Sequence, residues 1–109
     1  MPDVIGQFEQ AVLLALIHLG KDAYGRAVLN EVQRRLNRDV SAGAVYATLE
    51  RLETKALVSS RLAPGTALRG GRARRYFAPT DAGVRALNEA RSAINSVWQG
   101  FGGPLKVRT

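Results

Sequence analysis

Apolar residues recur along the chain in patterns that first predict two helices. One helix spans about residues 5–19 and is apolar nearly all round, which predicts burial on more than one side. Gly20 is a residue type that commonly ends a helix. The next helix spans about residues 23–36, with Asp22 as its expected N-cap, and it carries a single apolar stripe.

A third helix is predicted over about residues 42–55, with Ser41 as its N-cap. Its buried face follows the i, i+4, i+7, i+11 spacing. The residues of that face are Val45, Leu49, Leu52 and Ala56. The opposite face carries small residues and a few polar ones, so it could approach another backbone closely. Glu50 lies on that face and is unfavourable near phosphates.

The second half of the chain predicts two short strands and a fourth helix. The strands cover residues 57–62 and 74–78, and the glycine-rich connection between them is too long for a tight hairpin turn. Thr80 is the expected cap of a helix over about residues 81–99. A heptad-like apolar seam follows this helix. Its members are Leu87, Ala90, Ile94, Val97 and Phe101.

The order helix, helix, helix, strand, strand, helix is that of a winged helix-turn-helix, a mainly α fold with a small β-ribbon. In this fold the third helix enters the DNA major groove, and the ribbon reaches the neighbouring backbone or minor groove. We therefore expect a DNA-binding domain in residues 1–79, a dimerisation helix in residues 80–100 and a disordered tail in residues 101–109.

The seam on the last helix predicts a homodimer, because one small domain has little left to cover it. Packing against a second copy would bury both this seam and the apolar first helix in a C2 dimer. The alternative is that the last helix folds back onto its own domain.

Basic residues are concentrated in the middle of the chain. The net charge is +7, and residues 34–77 carry ten Lys and Arg against three Asp and Glu, which is typical of a surface that attracts a polyanion. The stretch GGRARRYF at residues 70–77 holds three arginines, Arg72, Arg74 and Arg75, here called the wing arginines. On the winged-helix interpretation they neutralise phosphates or enter the minor groove; the alternative is an ordinary solvated charge run.

Other classes of protein find little support in the composition. The chain has 109 residues and no cysteine, which excludes disulfides and thiolate metal sites. We find no paired histidines, Ser-His-Asp set or P-loop, so we expect no enzyme, no cofactor and no metal. His18, the only histidine, is expected in the core or an interface. The N-terminus has no signal-peptide pattern and the longest apolar run is too short for a bilayer, so we expect a cytoplasmic protein with no membrane partner.

Three segments resemble the PadR family of transcriptional regulators. They are Tyr24-Gly25, SAGAVYATLERLETKALVSSR at residues 41–61 and GGRARRYFAPTDAGVRAL at residues 70–87. The second is similar to the family pattern S-P-G-S-L-Y-P-T-L-R-R-L-E-x-x-G-L-V, and the third to the wing pattern G-R-P-R-K-Y-Y-x-L-T-x-x-G. The departures are alanines at positions 42, 44 and 47, where the pattern often has Pro, Ser and Pro, and Ala56 in place of the usual glycine.

The resemblance implies a dimeric winged-helix repressor that binds double-stranded DNA. In a C2 dimer the two recognition helices would face the half-sites of a palindromic operator, roughly 34 Å apart. DNA contacts are expected from two groups of residues. Those of the recognition helix are Ser41, Tyr46, Thr48, Arg51 and Lys55, and those of the wing are Arg69, Gly71, Arg72, Arg74 and Arg75.

Trp98, the only tryptophan, has two interpretations. It either packs plainly at the dimer interface or stacks on a small planar aromatic effector bound there. Two alternatives to a sequence-specific regulator also remain open at this point. The winged helix could bind another protein, which the small face around Glu50 would suit, or it could bind nucleic acid without regard to sequence.

Overall fold

The computed structural model describes residues 4–65 and 70–108. The elements are α1 (Gln7–Leu19), a 3-10 turn (Gly20–Asp22), α2 (Gly25–Leu36), α3 (Ala42–Thr54), β1 (Val58–Ala63), β2 (Arg74–Pro79) and α4 (Asp81–Val97). This order confirms the winged helix-turn-helix. The expected cap of the second helix is wrong, because Asp22 lies in the 3-10 turn and Tyr24 is the N-cap of α2. No helix in the described part is long and apolar enough to cross a membrane.

The core lies among α1, α2 and α3. Its largest fully buried side chains are Leu13, Leu16, Leu49, Leu52, Val12, Val28, Val32, Val45 and Val58. The described part of the chain covers the other side of α1 only in part: Leu14 and Ile17 are 41% and 48% exposed. The His18 side chain is 55% exposed, so of its two expected places the core is wrong, and a place in an interface stays a prediction. A domain of this size covers one face of α1 and leaves the other open.

The two strands form an antiparallel ribbon, with a register that runs from Val58 opposite Pro79 to Ala63 opposite Arg74. A short third pairing joins this ribbon to the start of α2. Tyr24 forms an isolated bridge with Tyr76. The adjacent Phe77 N–H donates to the Ala23 carbonyl oxygen, just before α2, at 2.9 Å. The wing is thereby held to the helical body by backbone hydrogen bonds as well as by side chains.

Thr80 and Gly83 fix the end of the ribbon to the end of α3. The Thr80 N–H donates to the Leu57 carbonyl at 3.0 Å, and its hydroxyl donates to the Ala56 carbonyl at 2.7 Å. The same hydroxyl accepts from the Gly83 N–H at 3.1 Å, as an N-cap does. A Cβ at Gly83 would collide with the Leu57 carbonyl oxygen. The glycine of the T-x-x-G spacing therefore lets α4 lie close to the segment after α3.

A buried carboxylate links α1 and α2. Glu31 is 8% exposed, and its Oε2 lies 2.6 Å from Arg34 Nη2 and 2.8 Å from Arg35 Nε. His18 Nε2, on α1, lies 3.9 Å from Glu31 Oε1. The hydrogen bond from Arg34 holds the pKa of Glu31 below its ordinary value of 4.5, against the opposing effect of burial.

The second half of α4 projects away from the core. Ala86 is buried, and Leu87 and Ala90 are partly buried against the core of their own chain, whereas every residue from 91 to 108 is exposed. The radius of gyration is 16.6 Å, compared with about 13 Å for a compact domain of roughly this length. The apolar seam is therefore divided. Its first two members are partly covered by their own domain, and Ile94, Val97 and Phe101 are open to solvent.

Candidate nucleic-acid interface

A groove of about 740 Å³ lies between the start of α2, one side of α3 and the strand β2. Its charged lining residues are Arg26, Arg74, Arg75, Glu50 and Glu53. The groove brings the third helix and the wing, which are separate in the sequence, to one surface. Both signs of charge are present on it, so the positions of the side chains decide which groups can meet a polyanion.

Two arginines at the base of the wing are stacked on two tyrosines. The guanidinium carbon of Arg74 lies 3.9 Å from the ring centroid of Tyr24, and that of Arg61 lies 4.7 Å from the ring of Tyr76. The two rings meet edge to face, with centroids 6.0 Å apart. Cation–π contacts of this kind orient a guanidinium without neutralising its charge.

Sequence reasoning missed Tyr24 as a member of this surface, and it missed Arg61 as a cation on the adjoining part of the ribbon. A signal for Arg61 was available, because pairing of the two predicted strands in the observed register places it directly opposite Tyr76. No comparable local signal existed for Tyr24. Its position depends on the bridge to Tyr76, a contact between residues far apart in the chain.

A second set of contacts joins the wing to α3. Arg75 Nη1 donates to the Ser60 hydroxyl oxygen at 3.0 Å, and that hydroxyl donates to Glu53 Oε2 at 2.6 Å. The serine thus relays a hydrogen bond from a cation on β2 to a carboxylate on α3. One oxygen of the Glu53 carboxylate is thereby engaged within the protein.

Tyr46 leans from α3 onto the start of α2. A Cβ placed at Gly25 would lie 2.7 Å from Tyr46 Cε1 and 2.8 Å from its hydroxyl oxygen. The ring is nevertheless 46% exposed. The Tyr24-Gly25 pair therefore has a physical reason in this fold: the tyrosine stacks with Arg74, and the glycine leaves space for Tyr46.

The predicted contact residues of α3 do not share one exposed face. Ser41 is exposed and acts as the N-cap, since its hydroxyl oxygen accepts from the Ala44 N–H at 3.0 Å. Thr48, in contrast, is 3% exposed, and its oxygen accepts from Arg51 Nη2 at 3.3 Å. Thr48 is buried because it stands three residues after Val45, next to the buried stripe. We withdraw it as a candidate DNA contact.

Arg51 and Lys55 face the start of α1. Arg51 Nε lies 3.8 Å, and Lys55 Nζ 3.4 Å, from Glu9 Oε2. Both side chains remain accessible, at 53% and 35% exposure. These two expected contact residues therefore lie at the edge of the exposed α3 face, where they are paired with a carboxylate that sequence reasoning did not single out.

The tip of the wing turns through glycines. Gly70 and Gly71 have φ angles of +64° and +80°, a left-handed conformation that glycine adopts without steric cost. Arg72 and Arg75 are exposed and Arg74 is partly buried. The predicted contact at Arg69 lies outside the described residues.

A second groove, of about 610 Å³, lies between the start of α1 and the outer half of α4. Its apolar lining consists of Val4, Ile5, Ala90, Ala93, Ile94 and Val97. Three of the five predicted interface residues thus line it, whereas Leu87 and Phe101 do not. Trp98 follows α4 directly and is 48% exposed, outside this groove within one chain.

Comparisons with known proteins agree with this geometry. The model of the "Transcriptional regulator PadR-like family" matches residues 13–89. "Transcriptional regulator Rv3488" of Mycobacterium tuberculosis is 37% identical over 89 residues, which are 80% of this chain and 78% of that protein.

Two solved structures have the same fold. A PadR-like transcription factor from Bacteroides fragilis superposes with a TM-score of 0.70 at 25% identity, over 84% of each chain. A PadR family transcriptional regulator from Eggerthella lenta gives a TM-score of 0.63 at 28% identity, over 82% of this chain and 75% of that one. These matches favour a DNA-binding regulator over the two alternatives left open by the sequence.

Proposed function

The chain belongs to the PadR-like family of transcriptional regulators, which bind DNA, and we propose that it is a cytoplasmic homodimeric repressor of a palindromic operator. The observation that carries this proposal is the shared surface of α3 and the wing. Arg74 is oriented there by Tyr24, and Arg61 is oriented by Tyr76 on the adjoining part of the ribbon. Phosphates of a duplex lying along α3 would meet these cations, while the exposed face of α3 approaches the base edges.

The small residues of α3 suit this role. Gly43 and Ala47 lie on its exposed side, so the helix backbone can come close to the floor of a major groove. Ser41 stands at the helix start and Arg51 at the edge of the same face. We assign base or phosphate contacts to these two residues, with Tyr46 contacting the backbone beside the start of α2.

The dimer is proposed from the uncovered half of α4. Ile94, Val97 and Phe101 are between 54% and 75% exposed, so the described part of the chain covers them only in part. A single helix half of this kind has little stability in water without a packing partner. A second copy is the occupant we propose for the groove between α1 and α4, because it would cover the seam and the groove together and would set two recognition helices side by side.

A small planar aromatic effector is the finer part of the proposal. The apolar groove and the exposed Trp98 ring would be brought together only when two copies associate. A flat compound could then stack on the indole and alter the spacing of the two recognition helices. Titration of the dimer with a panel of phenolic acids and planar drugs should quench or shift Trp98 fluorescence. An unchanged spectrum across the panel would count against the effector.

Fluorescence anisotropy tests the proposed function directly. The purified protein is titrated with the duplex upstream of its own gene and with a scrambled duplex of equal length, at physiological salt. We expect a preference of roughly a thousandfold or more, with two protomers bound per site. Equal and weak binding to both duplexes would contradict a repressor that acts on its own promoter.

A further inference from the structure

One carboxylate is placed against both cations at the edge of the recognition helix. Glu9 Oε2 lies 3.4 Å from Lys55 Nζ and 3.8 Å from Arg51 Nε. The Glu9 side chain is only 13% exposed, whereas its two partners are more accessible. The carboxylate is therefore a largely fixed group, and the two long basic side chains converge on it.

The first turn of α1 explains why Glu9 is fixed. Its other oxygen, Oε1, accepts a hydrogen bond from the Gly6 N–H at 3.1 Å, as the third helical residue of a capping box does. One carboxylate oxygen thus caps α1 and the other faces α3. A side chain held at both ends cannot swing away when another anion approaches its cationic partners.

We propose that Glu9 is a positioning residue for DNA binding, which holds Arg51 and Lys55 against α1 and makes phosphate compete for them. This inference rests on the proposed function, since it concerns the same α3 surface. The ion pairs are partly exposed and each contributes little to folding stability. Their effect on DNA affinity is larger than their effect on folding stability, because a phosphate must displace a carboxylate that is already paired with both cations.

Glu9→Gln is the informative variant. The amide oxygen still accepts from the Gly6 N–H, so the cap of α1 is retained while the charge is removed. Titration of a mixed-sequence duplex at low salt should show binding about three- to tenfold tighter than wild type. Glu50→Gln is the matched control, because it removes the same charge from the exposed face of α3 without touching the ion pairs.

A double-mutant cycle separates positioning from a general change in charge. In an Arg51→Ala, Lys55→Ala background, the gain from Glu9→Gln should shrink to less than twofold, whereas the gain from Glu50→Gln should persist. If the Glu9→Gln gain survives in this background undiminished, the carboxylate acts only through its long-range field and the inference is wrong.

Lysine reactivity provides a readout that needs no DNA. The chain has three lysines, so the acetylation rate of Lys55 can be referenced to Lys21 and Lys106 by mass spectrometry. Glu9→Gln should raise the relative rate at Lys55, and an unchanged rate would overturn the inference whatever the duplex titrations show. If no variant binds DNA although Glu9→Gln still raises the acetylation rate of Lys55, the result would instead contradict the proposed function.

Discussion

Ala56 adopts a conformation that glycine would adopt at lower cost. It follows α3 with a φ of +61°, in the left-handed region. A residue with a Cβ costs roughly 1–2 kcal/mol in that region. Glycine removes this steric cost, but it loses more backbone entropy on folding, which cancels roughly 0.5–1 kcal/mol of the gain. We therefore expect Ala56→Gly to raise the free energy of unfolding by about 0.5–1 kcal/mol.

The contacts around Ala56 do not alter this expected gain in stability. The Ala56 N–H donates to the Glu53 carbonyl and the Leu57 N–H donates to the Leu52 carbonyl, both at 2.9 Å, which is the pattern of a Schellman motif. These bonds involve only the backbone and persist with glycine. The Ala56 residue is exposed, so deletion of its methyl group leaves no cavity.

Urea denaturation at a fixed protein concentration measures the effect, since a dimer's stability depends on concentration. Asn37→Gly is the matched control: Asn37 also has a left-handed φ, of +54°, but asparagine tolerates that region well, so its gain should be smaller. An Ala56→Gly variant no more stable than wild type would refute the reasoning, because the strain at Ala56 would then be absent.

The wing arginines, Gly25 and Glu31 each offer a direct test. Replacing the wing arginines by alanine should weaken binding to all duplexes and flatten the dependence of log K on log salt; an unchanged slope would contradict the wing assignment. Gly25→Ala should destabilise the protein while Tyr46 is present, and should stabilise it by up to about 1 kcal/mol after Tyr46→Ala, as denaturation of the four variants would show. The depressed pKa of Glu31 stabilises the fold above pH 4.5, and this stability should be lost as the pH falls through the lower folded pKa. Glu31→Gln should show less of that acid dependence.

The parts of the fold that depend on local chemistry could be predicted from the sequence. The hydroxyl oxygens of Ser41 and Thr80 each accept a hydrogen bond from the backbone N–H three residues ahead. Both caps were predicted because a short side chain with an oxygen, just before an amphipathic pattern, is a local signal. Asp22 gives the same local signal. It fails because Tyr24 is drawn into pairing with Tyr76, and α2 can begin only after that pairing ends.

The candidate site could be predicted less well, because its side chains are organised by contacts between distant segments. The charge pattern predicts the wing arginines, but it does not predict Tyr24, which stacks with Arg74, or Ser60, which binds Arg75. Helical spacing places Thr48 at the boundary between the exposed and the buried face of α3, so the pattern alone does not predict that it is 3% exposed. The pairing of Lys55 with Glu9 joins residues from the first and third helices, and no local pattern could have indicated it.

The arrangement of these contacts also bears on whether the basic stretch is a solvated charge run. In such a run the long side chains are free in the unbound protein and must be ordered on binding, at about 0.5–1.5 kcal/mol for each. Here Arg74 and Arg61 are already stacked on rings, and Arg75 is hydrogen-bonded to Ser60. Much of that ordering is therefore completed during folding. A surface prepared in this way can bind phosphates in one register, which is what a regulator needs if α3 is to meet the same bases each time.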